Sequence, residues 1–184
     1  MRRLTTAEAY DQTHKVQQVE SGATDLDALV ASHGQQVARL VARLVDRRED
    51  VEDLVQETFL ATIVHRASFR GDCQPSTWLA RIAVNRCRSY HRWRRVRRFV
   101  RFASDEDNHA STPDPGKAIE TGEEIRRAVQ RLPGKYREVI VLRYFEGLSV
   151  DELVDVLGLR RTMVEKRLSR ARQKLKETLT SRLD

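Results

Sequence analysis

Cysteine and long apolar runs are both scarce in this chain of 184 residues. Cys73 and Cys87 are its only cysteines, which excludes a disulfide framework and fits a reducing compartment. No apolar run approaches the ~20 residues that a membrane-spanning helix needs, and no apolar stretch follows the charged start at Met1–Leu4. We therefore expect a cytoplasmic protein with no signal peptide and no membrane insertion.

Sequence motifs of common enzymes are also absent. The chain has no phosphate-binding P-loop, no His-Glu-x-x-His pair and no Gly-x-Ser-x-Gly. Cys73, Cys87 and His91 could act as zinc ligands, but their spacing matches no strong zinc motif. The carboxylates between Asp50 and Glu57 lack a second acidic cluster, which favours a partner-binding face over a metal-dependent nuclease. We expect no catalytic residue, no metal site and no cofactor.

Positive charge is in excess, since 34 Lys and Arg face 27 Asp and Glu, a formal net charge of +7. Nine arginines and no acidic residue lie between Arg81 and Arg101. Uninterrupted like charge is repulsive unless a polyanion relieves it, so this segment favours nucleic-acid binding over a merely solvated cationic helix. We expect Trp78, near its start, to lie in the core, and Tyr90 and Trp93 to continue its packing stripe.

The segment from Asp50 to Leu60 is acidic and has the periodicity of an amphipathic helix. Its predicted core face consists of Val51, Leu54, Val55, Thr58, Phe59 and Thr62. Its opposite face mixes carboxylates and a glutamine with Leu60 and Val64. Apolar anchors within an acidic rim are typical of a surface that binds a partner, although contact with another helix of the same domain would explain them equally well.

The fold class that follows is all-α, with two small helical domains joined by a flexible acidic linker. We predict an N-terminal extension at 1–24, a first helical domain at 25–101, a linker at 102–122 and a second helical domain at 123–184. The linker is rich in Asp, Glu, Pro and Gly and poor in apolar residues.

The second domain contains the pattern of a helix-turn-helix. Ser149 to Glu152 forms a capping box, and Gly158 ends the helix that the box begins. Thr162 to Glu165 resembles a second capping box, followed by a helix with Val164, Leu168, Ala171 and Leu175 inward and basic residues outward. The second helix would enter the major groove of DNA, while a helical hairpin for protein contact remains the alternative.

Several motifs, in order, resemble bacterial RNA polymerase sigma factors of the extracytoplasmic-function (ECF) subgroup. Those similar to sigma region 2 are Asp53–Phe59, Phe69–Asp72 and Thr77–Asn85. Those similar to region 4 are Leu132-Pro133, Tyr136–Val139, Leu142–Tyr144, Leu157-Gly158 and Arg167–Arg172. The resemblance implies promoter-specific initiation of transcription together with core RNA polymerase, and it implies that the linker threads into the polymerase.

The resemblance also implies site residues and partners. Docking on the clamp coiled coil of the largest polymerase subunit would use Asp53, Gln56, Glu57 and Leu60. Recognition and melting of the −10 element would use Arg70, Trp78, Arg81, Asn85, Arg88 and Arg92. Recognition of the −35 element would use Arg160, Arg161, Thr162, Glu165, Lys166 and Arg170. The polymerase flap and an anti-sigma factor are further expected partners.

Two positions depart from the family pattern. Glu165 stands where the family commonly has lysine, and Val154 replaces a usual small alanine. Glu165 could accept a hydrogen bond from a cytosine amino group, whereas Arg161 or Lys166 could donate to guanine. The alternative function is a stand-alone helix-turn-helix regulator, which would bind duplex DNA without polymerase.

Overall fold

The computed structural model describes residues 27–66, 69, 71–102 and 121–180. Within these ranges the regular secondary structure is helical throughout, and the predicted all-α class is confirmed. The predicted N-terminal extension and most of the predicted linker lie outside the described residues.

Three helices form the N-terminal unit, by which we mean residues 27–102. Helix α1 spans residues 27–44, α2 spans Val51–His65 and α3 spans Pro75–Phe102. Gly71 has a φ of +78° in the turn before α3, a conformation that favours glycine. Pro75 begins α3, where its missing N–H would have no helical partner. The apolar sides of the three helices meet in a shared core.

The predicted core face of α2 is confirmed, because Leu54, Thr58, Phe59 and Thr62 are buried. The Thr58 hydroxyl donates to the Leu54 carbonyl at 2.7 Å, which satisfies its buried oxygen within the helix. Leu60 is 61% exposed and Val64 is 77% exposed. Neither is covered by another described helix, which rules out the alternative of an intradomain contact among the described residues.

The C-terminal unit, residues 121–180, contains four α-helices and one irregular turn. Helix α4 spans Thr121–Arg131, α5 spans Gly134–Ile140, α6 spans Val150–Leu157 and α7 spans Arg161–Thr180. Helix α5 continues as a π-helical turn, Val141–Phe145, which the periodicity did not predict. Helix α4 begins two residues inside the predicted linker.

The caps of α6 follow the sequence. The Glu152 amide donates to the Ser149 hydroxyl at 3.2 Å, and the Ser149 amide donates to the Glu152 carboxylate at 2.8 Å. Hydrogen bonds from the Ser149 amide and side chain lower the pKa of Glu152 below its usual range. Gly158 ends the helix with a φ of +63°. Both predicted features are confirmed.

The second predicted capping box is wrong. Helix α7 begins at Arg161, and the carbonyl of Arg160 accepts from the amides of Met163 and Val164 at 2.9 and 3.1 Å. Thr162 is therefore already helical and cannot cap the helix. The Glu165 carboxylate accepts instead from Arg161 Nε at 3.2 Å.

The two units pack against each other through α3 and α6 and share one hydrophobic cluster. Thr77 of α3 donates to the Glu152 carboxylate at 3.0 Å, and Gln36 of α1 donates to Glu146 at 3.2 Å. Contact between the units is a feature that the sequence did not predict. We call it the interunit interface.

Replacing Ser149 with alanine removes one half of the confirmed capping box. We expect Ser149→Ala to lower the free energy of unfolding by about 1 kcal/mol, because an amide at the start of α6 loses its acceptor. Urea titration followed by circular dichroism measures the change. The matched control is Ser169→Ala, at an exposed position within α7, which we expect to leave the midpoint unchanged. Equal destabilisation by both variants would contradict the cap assignment.

Candidate partner and nucleic-acid interfaces

The outer side of α2 forms an acidic surface with apolar anchors. Asp53, Gln56, Glu57 and Leu60 are all exposed, while the opposite side of the helix is fixed in the core. Ile63, at 48% exposure, extends the apolar part beyond the predicted residues. The four residues named from the sequence therefore lie together on one accessible face, which suits a partner with an apolar groove and a basic rim.

The outer side of α3 forms a basic surface. Arg81, Asn85 and Arg92 are exposed, and at 100° per residue they lie within about 40° of one another around the helix axis. Arg92 donates to Ser89 at 3.3 Å. Arg70, which precedes α3 and was also predicted for the −10 element, lies outside the described residues. The three exposed side chains can meet phosphate oxygens or base edges along one line.

The two tryptophans of α3 have opposite environments. Trp78 is 5% exposed, and its ring centroid lies 4.9 Å from that of Phe69. Its predicted core position is confirmed, and in this arrangement its ring is not open to a base. Trp93 is 52% exposed, with the Arg97 guanidinium 3.6 Å from its ring centroid. The prediction that Trp93 belongs to the packing stripe is wrong.

Tyr90, the other aromatic residue predicted for the packing stripe of α3, is half-buried. Its hydroxyl donates to the Asp50 carboxylate and receives a bond from Arg94 at 3.2 Å. Burial, followed by the bond to Asp50, raises the pKa of Tyr90 to about 12. The ring thus ties α3 to the residue that precedes α2.

Arg88 lies on the same side of α3 as the basic surface, but it points into the interunit interface. Its Nε and Nη2 donate to the two carboxylate oxygens of Glu138 at 3.0 and 2.7 Å. Its Nη1 donates to the Leu157 carbonyl at the end of α6, at 3.3 Å. This predicted −10 residue is therefore fully engaged by the C-terminal unit.

The start of α7 forms a third polar surface. Val164, Leu168 and Ala171 hold the helix in the core. All six of the residues predicted for the −35 element are exposed: Arg160, Arg161, Thr162, Glu165, Lys166 and Arg170. The helix-turn-helix geometry thus presents the N-terminal part of its second helix to solvent, as major-groove entry requires.

Some residues of this surface are already paired. Arg161 contacts the carboxylates of both Asp151 and Glu165. Burial acts to raise the pKa of Tyr136, but the Arg170 side chain and the charge of Lys135 lower it below its usual value. Glu165 stands where the family commonly has lysine. It therefore replaces a positive charge at that position and also places a negative charge next to Arg161.

An apolar groove lies between α4, the π-helical turn and the end of α7, with a volume of about 490 Å³. Ile125, Tyr144 and Phe145 are each at least 40% exposed along it. Val129, Ile140, Leu175 and Leu179 complete the apolar lining, and Arg172 and Lys176 stand at its border. None of the residues predicted to bind polymerase or DNA belongs to this groove.

Two of the three residues considered as zinc ligands, Cys87 and His91, have other contacts. Cys87 is buried, and burial together with the Glu138 carboxylate raises its pKa to about 12. A ring nitrogen of His91 lies 2.9 Å from the Leu44 carbonyl. Among the described residues, no group of three or more His, Cys, Asp or Glu side chains is placed to hold a metal ion. In the same ranges, no helix is long and apolar enough to cross a membrane.

Sequence reasoning missed the residues that join the two units. Arg137 is 7% exposed and reaches the Leu44 carbonyl at 3.2 Å and Asp46 at 2.6 Å. Glu138 accepts from Arg88. One signal was available in the sequence. Arg137 and Glu138 lie next to buried apolar positions of α5, where an unpaired charge would destabilise the fold, so each requires a partner.

Two family models match the chain. One is described as sigma-70 region 2 and matches residues 29–99; the other is described as sigma-70 region 4 and matches residues 122–175. The first match contains α2 and most of α3, and the second contains the helix-turn-helix. The surfaces on α2 and α3 thus lie in the region 2 match. The surface on α7 lies in the region 4 match.

Proteins similar in sequence to this chain are also named RNA polymerase sigma factors. The RNA polymerase sigma factor NccH of Alcaligenes xylosoxydans xylosoxydans is 35% identical over 159 residues, which are 83% of this chain and 86% of that protein. The ECF RNA polymerase sigma factor SigM of Mycobacterium tuberculosis is 35% identical over 154 residues, 83% of this chain and 76% of that protein.

A solved structure shares the fold. It is the sigma factor RpoE of Bartonella quintana in complex with the anti-sigma factor NepR, with a TM-score of 0.69 and 23% identity over 85% of this chain and 97% of that chain. The helical architecture, the two matched regions and relatives similar over most of their length agree with one another. The chain belongs to the sigma-70 family of RNA polymerase sigma factors, in its ECF group, and its function is promoter-directed initiation of transcription.

Proposed function

We propose that this sigma factor divides its work among the surfaces of α2, α3 and α7, and that it acts by binding, with no catalytic residue of its own. The observation that carries the proposal is the separation of charge: an acidic face on α2 and basic faces on α3 and α7, all exposed on a rigid helical frame. An acidic face repels DNA and suits a basic protein partner, whereas the basic faces suit DNA.

The acidic face of α2 docks on the clamp coiled coil of core RNA polymerase. Asp53, Gln56 and Glu57 supply the polar rim, and Leu60, flanked by Ile63 and Val64, supplies the apolar anchor. Burial of such exposed apolar side chains by a partner stabilises the complex. The apolar groove beside α4 is the proposed site for the polymerase flap.

The basic face of α3 contacts the −10 element. Arg81 and Arg92 bind phosphates, and Asn85 contacts a base. Arg88 joins them once it leaves Glu138. Capture of unstacked bases lets binding energy drive strand separation without hydrolysis of a nucleotide. Trp78 supports this surface from the core.

The start of α7 enters the major groove at the −35 element. Arg161 donates to guanine, Glu165 accepts from a cytosine amino group, and Lys166 binds a phosphate. Because core polymerase and the promoter are cytoplasmic, we place the protein in the cytoplasm. The complex of its structural neighbour with an anti-sigma factor supports an anti-sigma factor as a further partner.

A run-off transcription assay tests the proposal as a whole. Purified protein is mixed with sigma-free core polymerase and a library of bacterial upstream fragments, with core alone as the control. We expect specific start sites that depend on the protein. Saturable duplex binding by the protein alone, without start sites or co-elution with core, would instead indicate a stand-alone regulator.

Removal of two polar groups tests the docking face. We expect the double variant Asp53→Ala, Gln56→Ala to bind core polymerase roughly tenfold more weakly, a loss of about 1.4 kcal/mol. Fluorescence anisotropy with labelled protein measures the affinity. The control is Asp155→Ala, which removes an exposed carboxylate from α6. Unchanged affinity in the double variant, with native circular dichroism, would overturn the docking assignment.

Two variants at the start of α7 separate base recognition from phosphate binding. We expect Glu165→Gln to reduce discrimination at one −35 base pair by about 1–3 kcal/mol. We expect Lys166→Ala to weaken binding to all sequences and to reduce the slope of log K against log salt concentration by about 1. Selection from a randomised −35 library with holoenzyme measures the base preference, and binding titrations at several salt concentrations measure the slope. An unaltered base preference in Glu165→Gln would remove Glu165 from the recognition residues.

A further inference from the structure

Two arginines cross the interunit interface in opposite directions. Arg88 of α3 reaches the C-terminal unit, where it contacts Glu138 and the carbonyl of Leu157 at the end of α6. Arg137 of α5 reaches the N-terminal unit, where it contacts Asp46 and the carbonyl of Leu44 at the end of α1. Each arginine therefore pairs with one carboxylate and with one helix end of the other unit. We call these the reciprocal arginine contacts.

One member of each reciprocal arginine contact is largely buried. Arg137 is 7% exposed and the Glu138 side chain is 15% exposed, whereas the side chains of Asp46 and Arg88 are 52% and 32% exposed. Arg88 binds Glu138 through two parallel N–H···O bonds, the geometry that is strongest for a guanidinium and a carboxylate. Carbonyls at a helix end lack partners within their own helix. Arg88 satisfies the carbonyl of Leu157, and Arg137 shares the carbonyl of Leu44 with a ring nitrogen of His91.

The position of Arg88 connects this interface with DNA. At 100° per residue, Arg88 lies about 20° around α3 from Arg81 and about 40° from Arg92. Thr77, which bonds Glu152 of α6, lies about 40° from Arg81. The edge of the proposed −10 surface is therefore the part of α3 that α5 and α6 cover.

We propose that this strip of α3 has two mutually exclusive partners, the C-terminal unit of the same chain and a nucleic-acid strand. The inference rests on the proposed −10 role of the basic face. When the reciprocal arginine contacts are made, the guanidinium of Arg88 is neutralised by Glu138 and cannot bind a phosphate. A strand that takes Arg88 leaves Glu138 without its partner, so it favours separation of the units.

The chain contains a natural probe of separation. Cys87 is 2% exposed on α3, and it directly precedes Arg88, whose side chain crosses the interunit interface. In a Cys73→Ser background, Cys87 is the sole thiol. Its rate of reaction with 5,5′-dithiobis(2-nitrobenzoic acid), in the absence of DNA and polymerase, reports how often the interface opens.

We expect Glu138→Gln to raise the labelling rate of Cys87 about tenfold, because the glutamine keeps the shape but loses the charge that holds Arg88. Glu177→Gln, which makes the same change at an exposed site of α7, should leave the rate unchanged. The double variant Arg88→Glu, Glu138→Arg restores an ion pair with the charges exchanged, so we expect slow labelling again. General destabilisation of the fold would instead keep labelling fast. An unchanged rate in Glu138→Gln would overturn the proposal.

Binding of a mixed-sequence single-stranded oligodeoxynucleotide, measured by anisotropy, completes the test. We expect Glu138→Gln to bind it several-fold more tightly than the parent, and the oligodeoxynucleotide to accelerate labelling of Cys87 in the parent. Tight binding that leaves the labelling rate unaltered would also overturn the proposal. Faster labelling of Glu138→Gln with no DNA binding by either chain would locate the failure in the −10 assignment instead, while the interface contacts would stand.

Discussion

The guanidinium of Arg137 lies where the ends of α1 and α4 meet, and the arrangement of the two units depends on it. It donates to carbonyls at the end of α1 and around the end of α4, namely those of Leu44, Gln130 and Leu132, and it pairs with Asp46. A buried charge is tolerated only when hydrogen bonds replace its hydration. Its Nε has no partner within the part of the chain described, so the remaining bonds must offset that cost.

Features that depend on neighbours within one helical turn could be predicted from the sequence. The buried face of α2, the capping box at Ser149 and the end of α6 at Gly158 are of this kind, because each follows from spacing or from the conformational preference of one residue. The exposure of the predicted polymerase and −35 residues follows from the same periodicity, since a helix that buries one face presents the other.

Features that depend on distant residues could not be predicted. Arg88 and Glu138 are 50 positions apart, and nothing in either local pattern identifies the other as its partner. The capping box expected at Thr162 failed for a local reason, because α7 begins at Arg161 and Thr162 is already helical, while Glu165 accepts from Arg161. The arginines of α3 also have different environments, which the amino-acid composition alone could not predict. Arg94 and Arg97 lie against aromatic rings, whereas Arg88 is paired with Glu138.

The π-helical turn that follows α5 has a consequence for evolution of the groove. A π turn accommodates one more residue than an α turn, so every later side chain is rotated by about 100° relative to a regular helix. Tyr144 and Phe145 consequently line the groove, and Phe145 also lies under the Arg43 guanidinium, 4.7 Å from its centroid. Loss of a single codon in this turn would therefore remove the groove's aromatic wall while preserving almost every amino acid that forms it.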